Sequence, residues 1–362
     1  MRLRALSVVS LAWFFGVGCG NDEATPAEET APEPRVVSVF DQVHISSVGD
    51  AEHFQHAVAS VDLGDETLAR ATLAVSLGSP CFPFEGWTPE SIPEGHAYPR
   101  LCDGFDRTFT LSLDDPADGA DGPPGIELVR AITPFGGPLQ FDADITDIAN
   151  GLPGVHELHV DIQTWGDAAG LVSGSEGEWI VSARIVLEPG PAPRSVIAVV
   201  PLVFANQTEA EPAPLAFTVP EGTGSARLEY RTTGHGGTEV PDDTACIGPA
   251  EEFCQRTHAL SLDGALLGEL LPWRTDCAAL CTLTPYEGDS PPIAQYCAEN
   301  PTGLPASVRA PRANWCPGSV TPPFVFESPE LAVPGDHELS IALDTIAGGG
   351  LWTTSATYVA FE

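Results

Sequence analysis

Two short stretches of the chain place carboxylates, an arginine and a cysteine within a few positions of one another. "RLCDGFDRTF" (100–109) sets Asp103 and Asp106 beside Cys102 and Arg107, and "AEEFCQRTH" (250–258) sets Glu251 and Glu252 beside Cys254 and Arg256. A carboxylate that is held rigidly and partly removed from water can act as a general acid or base near neutral pH. A disulfide at the neighbouring cysteine would supply the rigidity, stabilising the loop by about 2–4 kcal/mol. With 51 Asp and Glu in the chain, most acids are surface charge, and the adjoining cysteines are what set these apart.

Other chemistries find no support. The chain has no G-x-S-x-G, no glycine-rich phosphate loop and no H-E-x-x-H. Met1 is the single methionine, and it lies in the leader, which excludes the Met-ligated copper site of monooxygenases built on paired jelly rolls. "HELH" (156–159) carries His at i and i+3, which a strand sends to opposite faces. "DDPADGADG" (114–122) offers carboxylates to calcium but lacks the terminal bidentate Glu, so it reads as a solvated loop. Cys277-x3-Cys281 has an admissible zinc spacing, yet no His stands at a partner spacing.

The composition bounds the elements that must position these residues. The 362 residues include 36 Gly and 35 Pro, and only 18% are charged, which is a strand-and-turn composition. All 15 basic residues are Arg, and a formal charge of −36 repels phosphate backbones, so nucleic acid is excluded as a partner. Residues 1–19 carry Arg2 and Arg4, then an apolar run closing on Gly18-Cys19, and read as a lipoprotein-type signal peptide with Cys19 as the lipidated residue. The remaining cysteines, 81, 102, 246, 254, 277, 281, 297 and 316, are even in number and suit disulfides in an exported protein.

Residues 20–35 are Pro-, Ala- and Glu-rich and read as a disordered tether. Alternation then begins. Phe109, Leu111 and Leu113 share one face, as do Leu158, Val160 and Ile162, while His159, Asp161, Gln163 and Trp165 take the other. Ala226, Leu228 and Tyr230, and Leu339, Ile341 and Leu343, repeat the pattern. Period two over many short runs separated by Gly and Pro predicts all-β, antiparallel sandwiches. "DITDIANGL" gives the one helical hint in the sequence, and the Pro-rich residues 189–194 read as a linker between a first domain at 36–188 and a second at 195–362. No internal sequence repeat is visible between them.

The two acid-bearing stretches, with "NWCPG", resemble the peptide-N-glycosidase F family of bacterial amidases. Further fragments follow in the family's order: "VSVFDQV" (37–43), "CDGFDR" (102–107), "RAITPF" (130–135), "QTW" (163–165), "VVPLV" (199–203), "YRTTGHG" (230–236), "EEFCQRTHALSLDG" (251–264) and "RANWCPG" (312–318). The resemblance implies two tandem eight-stranded jelly-roll domains packed side by side, with the active site in the groove between them. It implies hydrolysis of the amide joining an N-glycan to asparagine, converting Asn to Asp and releasing a glycosylamine, with no cofactor or metal. Asp106 would be the principal catalytic acid and Glu252 the second carboxylate, with Glu251 as the competing assignment. Arg107 and Arg312 would grip carboxylates or sugar oxygens and keep the acids ionised, and Trp165 and Trp315 would offer flat faces to sugar rings.

Where the family carries a third active-site Glu, this chain has Gln163, which cannot hold charge or accept a proton. The resemblance pairs Cys81 with Cys102, Cys246 with Cys254, and Cys277 with Cys316, leaving Cys281 with Cys297. The expected partners are N-glycosylated proteins or peptides, with the membrane touched only through the lipid anchor and nothing requiring more than a monomer. The expected location is the outer membrane or cell surface, with periplasmic or secreted as alternatives. A catalytically slow or inactive glycan- or protein-binding surface lipoprotein on the same scaffold is the competing reading.

Overall fold

Alternation in the sequence becomes burial in the structure. Phe109, Leu111 and Leu113 of β4 (Thr108–Leu113) and Leu158, Val160 and Ile162 of β7 (Val155–Ile162) are fully buried. They meet Ile45, Leu73, Trp179 and Ile185 in one apolar core. A second core gathers Leu228, Tyr230, Leu260, Leu339 and Ile341. Here a computed structural model describes residues 33–114, 123–239, 245–288 and 293–362. The signal peptide, Cys19, the tether up to residue 32 and residues 115–122 of the acidic loop lie outside the described residues.

In lobe one, β1 (Arg35–Ser46), β8 (Glu178–Pro189), β3 (Leu68–Gly78) and β6 (Leu139–Asp144) form one antiparallel sheet, in that order. The facing sheet runs β5 (Ile126–Ile132), β4, β7 and β2 (His56–Asp62). The helix α1 (Thr146–Gly151) starts where Asp144 accepts the Thr146 amide at 2.9 Å. In lobe two, β9 (Val196–Gln207), β19 (Gly348–Phe361), β11 (Ser225–Glu239) and β17 (Phe324–Phe326) face β10 (Leu215–Val219), β18 (Gly335–Leu343), β12 (His258–Leu262) and β13 (Ala265–Leu270). Each lobe has the strand order of a jelly roll, which pairs sequence-distant strands across two sheets. A small hairpin, β14 (Leu283–Pro285) with β15 (Gln295–Cys297), precedes the one-turn helix α2 (Pro305–Val308).

The strand orders also expose a correspondence that the unaligned sequence hides. β4 and β12 hold the same place in their lobes, and so do β7 and β18. "RTFTLSLD" (107–114) then falls on "RTHALSLD" (256–263), and "PGVHELHV" (153–160) on "PGDHELSI" (334–341). The matched residues make matched contacts. Asp114 and Asp263 both sit at positive φ, 52° and 50°. Asp114 accepts from the Glu157 amide and pairs with His156, and Asp263 accepts from the Glu338 amide and pairs with His337. The two halves therefore do share an internal repeat, legible only after the strands are matched by role.

The lobes, parts of one compact unit, join through polar groups that bury one another. Every residue of β5 is buried. Arg130 grips Glu127 through two bonds of 2.7 Å and also donates to the Thr353 carbonyl of lobe two. Glu127 accepts from Ser355, and Arg231 donates to the Glu127 carbonyl at 3.0 Å. Burying charge is costly unless every atom finds a partner, which this network supplies. A lobe-two segment, β16 (Ser319–Val320), extends the lobe-one sheet by pairing with Ile132 and Ala131.

Candidate active site

In lobe one, Asp103 is the fixed point of the loop before β4. It is 0% exposed. Arg107 binds it through two bonds, Nε to Oδ2 at 2.8 Å and Nη2 to Oδ1 at 2.7 Å. The Thr164 hydroxyl at 2.6 Å, the Trp179 indole at 3.2 Å and the Phe105 amide at 3.3 Å complete its shell. The Cys81–Cys102 disulfide pins the loop from the other side. Asp106, three residues on, is only half-buried, and no side-chain donor meets its carboxylate among the described residues.

Lobe two repeats the device. Glu251 is 0% exposed and accepts from Arg256 at 2.9 and 3.0 Å, from the Trp352 indole at 2.8 Å and from the Ala347 amide at 2.9 Å. The Cys246–Cys254 bridge closes the loop around it. Residues Glu251–Phe253 form a single 3-10 turn, so the neighbouring Glu252 points elsewhere. Its side chain is 25% exposed and accepts from Arg312 Nη1 at 2.7 Å. Glu251 is thus spent on structure, and Glu252 is the one that reaches a cavity.

That cavity, of about 260 Å³, takes Asp106, Arg107 and Gln163 from lobe one and His235, Glu252 and Trp315 from lobe two. A hollow of about 600 Å³ is larger, but it lies on one sheet face of lobe one and contains neither acid-bearing stretch. In the smaller cavity, burial pushes Asp106 up to about 7, against the pull of Arg312, with Glu252 adding to the rise and Arg107 opposing it. Burial also raises Glu252, opposed by Arg312. His235 is pushed down to about 3 by burial and by the charges of Arg130 and Arg312, so it is neutral. A carboxyl that titrates near 7 beside a second acid, in a partly buried cleft, is equipped to take and return a proton.

The family model described as "Peptide-N-glycosidase F, C terminal" matches residues 204–356. Among solved structures, PNGF-II superposes with a TM-score of 0.66 at 18% identity, covering 91% of this chain and 65% of that one, so the chain spans about two thirds of that relative. A crystal structure of peptide-N(4)-(N-acetyl-beta-D-glucosaminyl) asparagine amidase gives 0.63 at 20% identity, covering 91% and 96%. PNGase F, a glycosylasparaginase from Flavobacterium meningosepticum, gives 0.61 at 18%, again covering 91% and 96%. No curated protein sequence matches the chain. The chain has a peptide-N-glycosidase F-like fold, and its second half matches that family's C-terminal model.

On the peptide-N-glycosidase F-like scaffold, two expectations need correction. Arg107 and Arg312 do not hold Asp106 in the ordinary carboxylate range, because burial outweighs both guanidinium groups there, and at Glu252 burial raises the acid against Arg312. Trp315 is no open sugar platform. It is 2% exposed, with Arg312 over its ring at 4.5 Å and His235 stacked on it at 5.3 Å, and its indole donates to the Gly234 carbonyl. Trp165 is exposed but lies outside the cavity lining. It is 40% exposed, stacked on Phe105 at 5.4 Å, with Arg107 5.0 Å from its ring. Gln163 is exposed at the cavity.

The four disulfides are Cys81–Cys102, Cys246–Cys254, Cys277–Cys316 and Cys281–Cys297, so Cys277 and Cys281 have no thiolates for zinc. They mark the chain as an exported protein. Sequence reasoning did not single out His235, Asn206 or Thr353 of the lobe-two wall. The glycines flanking His235 were its only signal. Gly234 leaves room for the Trp352 ring and the Ala313 methyl, each of which a Cβ would meet within 3 Å.

Proposed function

We propose that this chain is an exported amidase that hydrolyses the glycan–asparagine amide of N-glycoproteins or N-glycopeptides. One observation carries the reading: Asp106 from lobe one and Glu252 from lobe two line a single cavity, each mounted beside a fully bonded buried acid. Asp106 takes a proton from water as the water attacks the side-chain carbonyl carbon of the glycosylated Asn. The C–N bond then breaks, the departing nitrogen receives a proton, and the products are Asp and a glycosylamine. Arg312 fixes Glu252 to orient the water or the sugar and tempers the charge of both acids. Trp165, exposed beside Arg107, offers apolar ring surface to a sugar. Cys19 would anchor the chain through a lipid at the outer membrane or cell surface.

Gln163 favours a second reading, a glycan-binding lipoprotein that turns over slowly, because an amide at the cavity mouth adds no charge. Incubation with a denatured N-glycopeptide, followed by mass spectrometry for Asn-to-Asp conversion, decides between them. Conversion supports the amidase. Intact glycan binding with no conversion at any pH supports the binder.

A further inference from the structure

Residues 299–308 belong to lobe two by sequence but lie against lobe one. Asn300, fully buried, anchors them: its Oδ1 accepts the Phe135 amide of lobe one at 3.0 Å, and its Nδ2 donates to the carbonyls of Leu280 and Pro317 at 3.0 and 3.3 Å. Thr302 Oγ1 donates at 2.7 Å to the Gly104 carbonyl, two residues before Asp106. Lobe one meets this segment with glycines because nothing larger fits. A Cβ on Gly136, at φ +64°, would stand 2.8 Å from Thr302 Oγ1, and one on Gly137 would stand 2.6 Å from the Glu299 carbonyl. Farther along, Ser307 in α2 accepts twice from Arg312 Nη2, at its carbonyl (2.9 Å) and its hydroxyl (3.0 Å). The other terminal nitrogen of Arg312 holds Glu252 at 2.7 Å. The Cys281–Cys297 disulfide cross-links the hairpin that leads into the segment.

We propose that residues 299–308 are a strut that sets the separation of Asp106 and Glu252, with Thr302 and Ser307 as the positioning residues near its ends. One end bonds the backbone that carries Asp106, and the other bonds the arginine that carries Glu252. Neither residue touches a carboxylate, so each acts through another group. The catalytic consequence rests on the amidase reading, but the geometry does not. The charged and titratable groups facing Asp106 are Arg107 from its own loop and Glu252, Arg312 and His235 from lobe two. His235 is neutral above about 3, leaving Arg312 as the group whose placement the strut controls. Arg312 lowers the titration of both acids, so loosening it must register at Asp106.

The test uses the full chain with Ser307→Ala, Thr302→Val and Ser307→Thr. It reads turnover against pH and, independently of activity, the titration of Asp106 by carboxyl NMR on ¹³C-labelled protein. In Ser307→Ala, kcat should fall about tenfold with KM within about twofold, and the Asp106 midpoint should rise by about half a unit. Ser307→Thr should restore both, and Thr302→Val should lower kcat with the thermal midpoint little changed. An Asp106 midpoint unaltered in both Ser307→Ala and Thr302→Val, with only the thermal midpoint lowered, would reduce the strut to a stability element and overturn the proposal. If the parent chain shows no turnover, the amidase reading fails while the titration still decides the strut.

Discussion

Asp103 in lobe one and Glu251 in lobe two have the same surroundings, a two-bond arginine, a tryptophan indole and an adjacent disulfide, yet they deliver their neighbouring acids differently. Asp106 follows its mount by three residues of loop and has no side-chain donor among the described residues. Glu252 follows its mount by one residue of a 3-10 turn and is tied to a separate arginine, Arg312. A carboxylate bonded to a guanidinium is oriented and held toward its charged form, and one without a donor is free to exchange its proton. On the proposed amidase reading, the comparison suits Asp106 to proton transfer and Glu252 to orientation.

The largest test of that division is catalytic. Asp106→Ala should lower the rate of Asn-to-Asp conversion by about 10⁴-fold and Glu252→Gln by about 10²-fold, the upper and lower range for acid–base groups. Equal losses would erase the distinction between the two lobes. Next come the mounts. Asp103→Ala and Glu251→Ala should each cost about 3–5 kcal/mol in denaturant unfolding, since each breaks a two-bond ion pair made by a fully buried carboxylate. A mount that can be truncated without loss is no mount.

A smaller effect concerns stability against pH. Asp106 titrates at about 7 in the folded chain and in the ordinary carboxylate range when unfolded. The unfolded state therefore gives up its proton first, and stability falls as pH rises from about 4 to about 7. Asp106→Asn should raise the thermal midpoint above pH 7 and leave it unchanged below about pH 4, as followed by calorimetry. An effect of equal size at both pH values would mean that the carboxyl is not strained by burial.

The smallest effect is at Gln163. Gln163→Glu should increase turnover by about two- to tenfold and, by adding a negative charge at the cavity, move the acid limb of the pH–rate profile upward. A loss of rate would show that Gln163 is suited to another substrate, and that lobe one works with a single charge where the family carries two.

Much of the fold was legible locally. Burial of Leu158, Val160 and Ile162, or of Leu339, Ile341 and Leu343, follows from a two-residue period that any sandwich core imposes. The repeat between the lobes was not legible, because the spacing around its fixed points differs. Cys102 stands five residues before Arg107, whereas Cys254 stands two before Arg256. Glu251 and Glu252 are equivalent as letters, and only the shape of one turn separates the structural acid from the one at the cavity. The buried Glu127–Arg130 pair was missed because it satisfies itself against lobe two, and nothing in its own strand announces that partner.

By itself the sequence determined the strands, the cysteines and the candidate acids, because alternation and residue type act over a few neighbouring positions. Only the tertiary structure decided which acid is consumed as a mount, which one lines the cleft, and that Trp315 supports an arginine with no open face for a sugar. Desolvation and charge coupling depend on what lies across a cleft, and across this cleft Asp106 meets Glu252 and Arg312 from the far half of the chain.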